Sequence, residues 1–413
     1  MDMRRVVVTG MGTVNPIGNC VEEFWENAKA GNIGIAPATQ FNTDPLKVKL
    51  AAEVKNFNPR SILSPKEVRR TERFVQLAMA AAKEAFEDSC LNMEDEDPFR
   101  IGVSVGSAIG GMSRIAAETL VIEKNGPGKV SPYTIPLTIT NMIPGNIAMM
   151  LGTMGHCRSV VSACATGTDS IGLAYREIQT GQNDVILAGG TDSVLCFEAA
   201  SSFQQLTALS LSEDPSRASI PFDRDRSGFV MGEGAGVIVL EELEHAKKRG
   251  AHIYGEVTGY GSTNDAWHIT RPRDDAGASS KALQFAMEDA GITPDRIDYI
   301  NAHGTSTIFN DLCETRAMKA ALGKYAYTIP VNSTKSMIGH TMGASGTIEA
   351  IVCLMTIRDN FIHPTAGTEI CDDECDINII KHTGIKADVR TAMTNSFGFG
   401  GHNASLILSE YAE

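Results

Sequence analysis

The segment Ser159-Val160-Val161-Ser162-Ala163-Cys164-Ala165-Thr166-Gly167-Thr168 joins a predicted strand to a predicted helix through a single cysteine. Its β-branched start predicts a strand over Val160–Ser162, and its small residues open a helix placed at Gly167–Thr180. A cysteine at such a turn lies near a helix N-terminus, where the dipole and free N–H groups favour the thiolate. The same turn offers backbone N–H donors to an oxyanion. Cys164 is therefore a candidate nucleophile, although an inert buried cysteine is the commoner case.

Three short segments of the first part of the chain resemble segments of the second part in the same order. Their spacing is unequal, which excludes a fixed-period repeat and indicates a duplicated α/β unit with different insertions. Chance similarity between glycine-rich turns is the alternative. The pairs are Val8–Gly12 with Val257–Gly261, Ala163–Thr168 with Met342–Thr347, and Ala188–Gly190 with Phe399–Gly401.

Short β-branched runs alternate with longer helical patterns along the whole chain, which is typical of an α/β fold. The other predicted strands are Val6–Thr9, Ile101–Val105, Val185–Ala188, Val237–Leu240, Ile297–Ala302 and Ala392–Asn395. The other predicted helices are Phe74–Ser89, Ser280–Ala290 and Gly346–Arg358.

Composition excludes several classes of protein. The 413 residues carry a formal net charge of −14, with 43% apolar and 21% charged residues, which is neither disordered nor fibrous. The acidity argues against a nucleic-acid partner. The nine cysteines are odd in number and contain no Cys-x-x-Cys pair, which favours reduced thiols in the cytoplasm. With no signal peptide and no apolar run of about 18 residues, we expect a soluble protein without a membrane segment.

Two segments have some of the residues of a cofactor site without its full pattern. Cys371, Cys375, His363 and His382 have the residue types of a zinc site, but the acidic stretch Asp372–Glu374 favours a solvated loop, so we expect no metal. Gly10-Met11-Gly12 follows the first strand without the third glycine that a dinucleotide-binding turn requires.

Two histidines and a lysine lie in glycine- and hydroxyl-rich surroundings. His303 ends the strand at Ile297–Ala302, His340 precedes a glycine-rich helix start, and Lys335 lies five residues before His340. Each residue alone is more often structural than catalytic. A thiol, two imidazoles and a lysine together form a set suited to acyl transfer through a thioester. Near the end of the chain, the glycines of Asn395–Asn403 permit an aromatic side chain to move over such a site.

Over essentially its whole length the sequence resembles the β-ketoacyl synthases, the condensing enzymes of fatty-acid synthesis. The resemblance rests on the Cys164, His303, Lys335 and His340 segments and the Gly398–Gly401 loop. It also rests on further motifs, namely Val8–Gly12, Pro221-Phe222-Asp223, Gly228–Gly234 and Glu244-His245-Ala246. It implies the thiolase fold, a five-layered αβαβα sandwich of two duplicated halves. We place the halves at residues 1–250, with the cysteine, and 251–413, with the histidines and the lysine.

The resemblance implies roles for the residues at the centre. Cys164 would be the acylated nucleophile, and its own N–H and that of Phe399 would form the oxyanion hole. His303 and His340 would serve the malonyl half-reaction, and Lys335 would order the site. Phe399 would also be the gate between acyl loading and malonyl entry. Glu349 would pair with the lysine or with a structural monovalent cation.

The resemblance also implies substrate contacts. Ile109 and Phe203 match positions that line the acyl pocket, and Thr305 and Thr307 match positions that bind the pantetheine arm. The family usually has other residues at Ile308-Phe309-Asn310 and at His402. No cofactor is expected beyond the phosphopantetheine that substrates carry on acyl carrier protein.

A basic stripe is the candidate docking surface for that acidic carrier. Lys66, Arg69, Arg70 and Arg73 have the spacing of one helical face, and Ser64-Pro65-Lys66-Glu67 reads as an N-cap, an N1 proline and a capping-box glutamate. A solvated charged face is the plainer interpretation, but a basic stripe on an acidic chain suits carrier docking.

The function that we expect is elongation of carrier-bound acyl chains in type II fatty-acid synthesis. The reaction is a decarboxylative Claisen condensation of malonyl carrier with an acyl group held on Cys164. By resemblance, the enzyme is expected to be a homodimer. Two alternatives stay open, a ketosynthase of a polyketide pathway and a non-catalytic chain-length or carrier-binding partner. The second usually lacks the nucleophile, so Cys164 counts against it.

Overall fold

The computed structural model, which describes residues 3–412, contains fourteen β-strands and thirteen α-helices in that range. The strands are β1 (Val6–Val14), β2 (Ala36–Pro37), β3 (Leu50–Ala51), β4 (Ile101–Gly106), β5 (Cys157–Arg158), β6 (Val185–Asp192), β7 (Gly234–Glu242), β8 (Gly255–Asn264), β9 (Tyr299–Asn301), β10 (Val331–Asn332), β11 (Phe361–Ile362), β12 (Ile385–Lys386), β13 (Thr391–Gly398) and β14 (His402–Ser409). The helices are α1 (Val21–Lys29), α2 (Pro65–Val68), α3 (Arg73–Asp88), α4 (Met112–Asn125), α5 (Thr134–Thr138), α6 (Met142–Leu151), α7 (Thr166–Gln179), α8 (Phe197–Gln205), α9 (Leu243–Arg249), α10 (Gly277–Ala290), α11 (Ile308–Leu322), α12 (Lys335–Ile338) and α13 (Ser345–Asp359).

Ten of these strands form a continuous sheet in the order β10-β9-β13-β14-β8-β1-β7-β6-β4-β5. Its two five-stranded halves meet where β1 pairs with β8 through Val7–Glu256 and Val8–Gly255. In each half a parallel pair, β4–β6 or β9–β13, is followed by an antiparallel pair, β6–β7 or β13–β14. The two halves therefore repeat one topology about the β1–β8 pair. The residue boundary that we placed at 250/251 stays a prediction.

Helices cover both faces of each half-sheet. The pair α7 and α13 lies between the halves, where the helices contact each other and strands of both halves. On the outer faces, α3 packs on β1 and β7, and α10 packs on β8 and β14. Residues Ser345–Ile357 of α13 are all buried, as expected for a helix sandwiched between two sheets. The predicted five-layered αβαβα sandwich is confirmed.

Glycines in β1 and β8 bring their outer helices into close contact. A Cβ atom built on Gly10 or Gly12 would lie 2.2 or 2.0 Å from a backbone oxygen of α3. On Gly259 or Gly261 it would lie 2.2 or 2.1 Å from a backbone oxygen of α10. These distances leave no room for a side chain. The similar segments Val8–Gly12 and Val257–Gly261 therefore allow the same close packing of a helix on a strand in the two halves.

The cysteine turn and its counterpart also have the same backbone conformation. Ala163 and Met342 each adopt a positive φ, 52° and 51°, and each begins a three-residue 3-10 turn that leads into α7 or α13. The third predicted similarity is wrong. Gly189 and Gly190 lie within β6, whereas Gly400 and Gly401 form the turn between β13 and β14.

The strand predicted at Val160–Ser162 is also wrong. Strand pairing with β4 ends at Arg158, and the next residues continue without ladder partners. The chain is already turning towards α7 here, because the Ser162 N–H donates to Oγ1 of Thr166 at 3.0 Å. The other predicted strands and helices are confirmed, although the ends of several shift; the strand expected at Ile297–Ala302, for example, spans only Tyr299–Asn301.

The single helical face predicted for the basic stripe is wrong. The capping box at Ser64 and Glu67 forms as expected, but α2 ends at Val68 and α3 begins at Arg73. The intervening residues do not continue the helix, so the four basic residues do not share one face. Among the described helices, none has the length and apolar character needed to cross a bilayer.

Candidate active site

The predicted nucleophile and both predicted histidines meet between the two halves of the fold. The Cys164 sulfur and one nitrogen from each of His303 and His340 all lie within 4.8 Å of one another. Cys164 lies in the turn before α7, His303 follows β9, and His340 precedes the turn before α13. The first half thus contributes the thiol and the second half contributes both imidazoles.

Burial of Cys164 acts against the thiolate that its position suggested. Desolvation raises the pKa of the thiol to about 11, although the Lys335 charge and the backbone N–H groups of Phe399 and Cys164 lower it. Burial therefore opposes the thiolate that the helix N-terminus is expected to favour. The thiol keeps its proton near neutral pH until a substrate or base takes it.

The tautomer of His340 follows from its hydrogen bonds. Its Nδ1 accepts the backbone N–H of Met342 at 3.1 Å, and its Nε2 lies 3.1 Å from Sγ of Cys164. Because an amide N–H can only donate, Nδ1 must be the unprotonated nitrogen and Nε2 carries the proton. Burial, assisted by the Lys335 charge, lowers the pKa of His340 well below its usual value. His340 is therefore a neutral imidazole that presents an N–H towards the sulfur.

His303 has a free ring nitrogen. Its ring centroid lies 5.4 Å from that of His340, with the two planes nearly perpendicular. Burial lowers its pKa well below the usual value, and the charge of Lys335 and the neighbouring His340 lower it further. Within residues 3–412, Nδ1 of His303 is buried without a hydrogen-bond partner. Among the described residues, no contact at Nδ1 therefore fixes the tautomer of His303.

Lys335 forms a buried ion pair beside this centre. Its side chain is 1% exposed, and Nζ donates to Oε1 of Glu349 at 2.5 Å. Burial raises the pKa of Glu349 to about 7 in spite of the lysine. Lys335 has no direct hydrogen bond to either histidine, so its charge acts on them through space.

Phe399 lies at the surface end of the site. It occupies the turn between β13 and β14, and the residue is 36% exposed. The preceding Gly398 packs on the cysteine turn, since a Cβ atom there would lie 2.9 Å from Ser162 O and 3.0 Å from Cys164 N. The N–H of Gly400 donates to Ile269 O at 2.8 Å. The backbone around Phe399 is thus fixed on one side to the nucleophile's turn and on the other to a surface loop.

Thr305 and Thr307 follow His303 on one loop. Their hydroxyl oxygens lie 2.9 Å apart, the Thr305 N–H donates to Asp311, and Thr307 caps α11. The unusual residues Ile308–Asn310 form the first turn of that helix. His402 is the first residue of β14, where it pairs with Gly398.

Ile109 and Phe203 lie in one apolar cluster at the other side of the site. Phe229, to which the sequence assigned no role, connects this cluster to the centre. Its ring lies 5.4 Å from that of Phe203 and 5.4 Å from that of His340. An apolar path therefore leads from the histidine into the cluster.

The basic residues expected to dock a carrier divide into two groups. Lys66, Arg69 and Arg70 are exposed, and Arg70 stacks on the Tyr133 ring at 5.1 Å. Arg73 instead turns inward and binds the fully buried Glu233 at 2.7 Å. Three of the four residues are thus available at the surface.

Sequence reasoning missed the carboxylates that hold the catalytic loops. Glu314 accepts the backbone N–H groups of His303 and Gly304 at 2.8 and 2.7 Å, and burial raises its pKa to about 7. Asp192 accepts the N–H groups of Ala108 and Gly343 at 2.9 and 2.7 Å. The spacing of Asp311 and Glu314 on one face of a helix just after His303 was the available signal.

Comparison with known proteins adds an independent observation. Residues 3–246 match the family model described as Beta-ketoacyl synthase, N-terminal domain, and residues 254–369 match Beta-ketoacyl synthase, C-terminal domain. The chain is 46% identical over 408 residues to 3-oxoacyl-[acyl-carrier-protein] synthase 2 of Staphylococcus aureus strain N315, covering 99% of both chains. It is 44% identical over 410 residues to the protein of that name from Coxiella burnetii strain RSA 493, again covering 99% of both.

A solved structure has a closely similar fold. It is a ketosynthase in complex with a type II polyketide acyl-carrier protein. The superposition covers 99% of this chain and 100% of the other, with a TM-score of 0.93 and 34% sequence identity.

Proposed function

Because this chain belongs to the β-ketoacyl synthase family, and so to the acyltransferases, we propose that it elongates acyl chains by decarboxylative condensation on Cys164. The acyl and malonyl groups would arrive as thioesters of an acyl carrier protein. The observation that carries this proposal is the meeting of one thiol and two neutral imidazoles within 4.8 Å. Neutral imidazoles can donate hydrogen bonds to a developing negative charge, which is what a decarboxylation needs.

In the first half-reaction, the Cys164 sulfur attacks the carbonyl carbon of the acyl thioester. The new S–C bond forms, the old one breaks, and the phosphopantetheine thiol leaves with the proton that Cys164 gives up. An unprotonated ring nitrogen of the neutral His303 suits a transient holder of that proton, since Nε2 of His340 is already protonated. The N–H groups of Cys164 and Phe399 would stabilise the oxyanion.

In the second half-reaction, the malonyl thioester loses CO2 and its electron pair becomes an enolate. The His340 Nε2–H and an N–H of His303 would donate hydrogen bonds to the enolate oxygen, and neither imidazole would have to accept a proton. The carbanion then attacks the carbonyl carbon held on Cys164, a C–C bond forms, and the cysteine sulfur leaves. The 3-oxoacyl carrier is the product, and the Cys164 thiolate takes up one proton from solvent before the next cycle.

A direct assay tests this reaction. The purified protein, given malonyl and acyl thioesters of a carrier protein, is expected to release CO2 and form 3-oxoacyl carrier. Cys164→Ser is expected to lose the condensation, while Cys90→Ser, at an exposed thiol outside the site, keeps it. Full condensation by Cys164→Ser would reject the assignment. Mass spectrometry supplies a separate readout, since a chain that only binds carriers would form no acyl adduct on Cys164.

We assign the fatty-acid pathway over polyketide assembly because the relatives at 44–46% identity bear the name 3-oxoacyl-[acyl-carrier-protein] synthase 2. The polyketide ketosynthase that shares the fold is 34% identical. A product profile over carrier-bound primers of increasing length distinguishes the two. Fully reduced chains should be the preferred primers of a fatty-acid enzyme, and poly-oxo chains those of a polyketide enzyme.

We propose that Lys66, Arg69 and Arg70 dock the carrier. These exposed cations lie on a chain of net charge −14, so they form a local attraction for an acidic partner. Charge reversal at Lys66 and Arg69 is expected to raise KM for carrier-bound substrate and leave KM for a pantetheine thioester unchanged. Arg73 has a structural ion pair with Glu233 and is excluded from this set.

A homodimer is proposed from the surface of the first half. The exposed strand β5 is the outermost strand of the sheet, and the nearby helices α4 to α6 expose large apolar side chains. These are Ile115, Leu120, Ile135 and Met149. Sedimentation of the wild type should give twice the chain mass, and Ile135→Glu with Met149→Glu should shift it towards the monomer.

A monovalent cation is a further proposal for the buried region beside Lys335. Oε2 of Glu349 and Oδ1 of Asn301 are both buried without a partner among the described residues. Both residues also lie near Cys353, since the Glu349 charge raises the pKa of that thiol and the Asn301 backbone lowers it. These oxygens are the donor types that such a cation takes, and it would supply charge balance there. Dialysis against a bulky organic cation should then lower the melting temperature, with potassium or sodium restoring it.

The compartment that fits this chemistry is the cytoplasm, which keeps thiols reduced. All nine cysteines are free. Fractionation of the source cells checks this assignment.

A further inference from the structure

His340 contacts more than the amide that fixes its tautomer. Its Nδ1 also lies 3.1 Å from Oγ of Ser345, and that oxygen lies 3.0 Å from Oγ1 of Thr341. All three residues are buried, with exposures of 3%, 0% and 0%. The two hydroxyls therefore form a short chain that ends on the nitrogen of His340 opposite the one facing Cys164.

The turn before α13 creates this arrangement. Thr341 precedes a 3-10 turn that Met342 begins with a positive φ, and Ser345 is the first residue of the helix. The turn folds the chain back so that residues 341 and 345 meet. It also directs the Met342 N–H at the ring of His340.

The number of hydroxyl protons decides which group donates in each of these two hydrogen bonds. In the described residues, Thr341 Oγ1 and Ser345 Oγ have no other side-chain or backbone partner. If Ser345 donated to Thr341, the Thr341 proton would have no acceptor in a buried place, which is costly. If Thr341 donates to Ser345 and Ser345 donates to Nδ1, both protons are used. Two donors, one amide and one hydroxyl, then point at Nδ1.

We propose that Ser345, supported by Thr341, is a positioning residue that holds His340 as a neutral donor through Nε2. The inference rests on the proposed condensation, in which His340 stabilises the enolate. A proton on Nδ1 would face the Met342 N–H and would require the hydroxyl chain to reverse. These two hydrogen bonds therefore oppose protonation of Nδ1 and rotation of the His340 ring. They keep the Nε2–H directed at the reacting atoms.

The test uses variants that remove or keep the hydroxyls with little change of volume. Ser345→Ala removes the donor to Nδ1, Thr341→Val removes its support, and Thr341→Ser restores the hydroxyl. Thr356→Val is the matched control, because its hydroxyl on the same buried helix has no partner in the described chain. Malonyl decarboxylation, acylation of Cys164 and thermal stability are measured for each variant.

The expected result is a loss in kcat of decarboxylation with KM unchanged. Ser345→Ala should lose about tenfold, as for one buried hydrogen bond, Thr341→Val should lose less, and Thr341→Ser should recover. The acidic limb of the pH profile should move to higher pH in Ser345→Ala, since a lost donor makes Nδ1 easier to protonate. Thr356→Val should match the wild type in kcat and in pH profile.

Nitrogen-15 NMR of His340 reads the tautomer without turnover. The wild type should give an unprotonated Nδ1 and a protonated Nε2, and Ser345→Ala should change the Nδ1 shift or mix the tautomers. Unchanged kcat, pH profile and Nδ1 shift in Ser345→Ala would overturn the proposal, as would an equal loss in Thr356→Val. A wild type that failed to condense would reject the proposed function, while the NMR result would still decide the role of Ser345.

Discussion

Gly398 lies directly against the backbone of Cys164, so the turn that presents Phe399 and the turn that presents the nucleophile share one contact. A Cβ atom at position 398 would come within 3.0 Å of the Cys164 nitrogen. That nitrogen is one of the two donors proposed for the oxyanion hole. The contact leaves room for hydrogen alone, and the geometry of both turns depends on it.

Gly398→Ala is therefore expected to reduce acylation of Cys164 by about a hundredfold, the loss typical of a displaced oxyanion donor. Mass spectrometry of the acyl adduct against time measures the rate. Gly128→Ala serves as the control, because a Cβ atom there meets no atom within 4 Å. Normal acylation by Gly398→Ala would show that the two turns can separate without loss.

The reactivity of Cys164 should follow its raised pKa. With a pKa of about 11, the thiol loses its proton only in strongly alkaline solution. Roughly one molecule in ten thousand then carries the thiolate at pH 7. Alkylation by iodoacetamide should accelerate about tenfold for each pH unit from 7 to 9. A plateau in the rate below pH 8 would mean that the helix N-terminus dominates over burial.

The Lys335–Glu349 pair offers a test of through-space electrostatics. Lys335→Met leaves a buried carboxylate unpaired, which costs about 3–5 kcal/mol of unfolding free energy, and Lys335→Met with Glu349→Gln should recover much of that stability. The lysine lowers the pKa of both histidines and of Cys164. Both variants should therefore move the acidic limb of the activity profile to higher pH. Chemical denaturation and a pH–rate profile separate the two effects.

Glu314→Gln tests the loop that carries His303. The carboxylate accepts two backbone N–H groups, whereas an amide has one acceptor oxygen, so one donor is left unpaired. We expect a loss of about 1–3 kcal/mol in unfolding free energy and slower decarboxylation. Because the pKa of Glu314 is about 7, decarboxylation by the wild type should also slow on acidification below that pH, while the raised pKa means that this protonation does not lower the unfolding free energy. The rate of Glu314→Gln should not fall further on this acidification. Glu87→Gln, at an exposed glutamate, should show the same fall in rate as the wild type.

Local signals in the sequence were enough for the layers and for the three side chains that the structure brings together. Cys164, His303 and His340 each stand among glycines and hydroxyls at a predicted element end, and such surroundings mark a site where backbone meets ligand. The contribution of Met342 was invisible, because it acts through a backbone N–H that any residue possesses. Glu314 was missed although its spacing from Asp311 was a signal, because the groups that its carboxylate binds are backbone N–H groups that no side-chain pattern marks. The direction of Arg73 was mispredicted for a related reason: its partner Glu233 is 160 positions away and no local pattern contains it.

The duplicated turns before α7 and α13 differ in whether they have room for a thiol. Both have the same backbone, yet the position of Cys164 in the first is taken by Gly343 in the second. A Cβ atom on Gly343 would lie 2.7 Å from Oδ2 of Asp192 and 2.8 Å from the Ala108 nitrogen, so no thiol could stand there. Asymmetry between the halves is thus enforced by steric exclusion. These two turns therefore offer one thiol per chain, and the second turn instead holds the ring of His340 through the Met342 N–H.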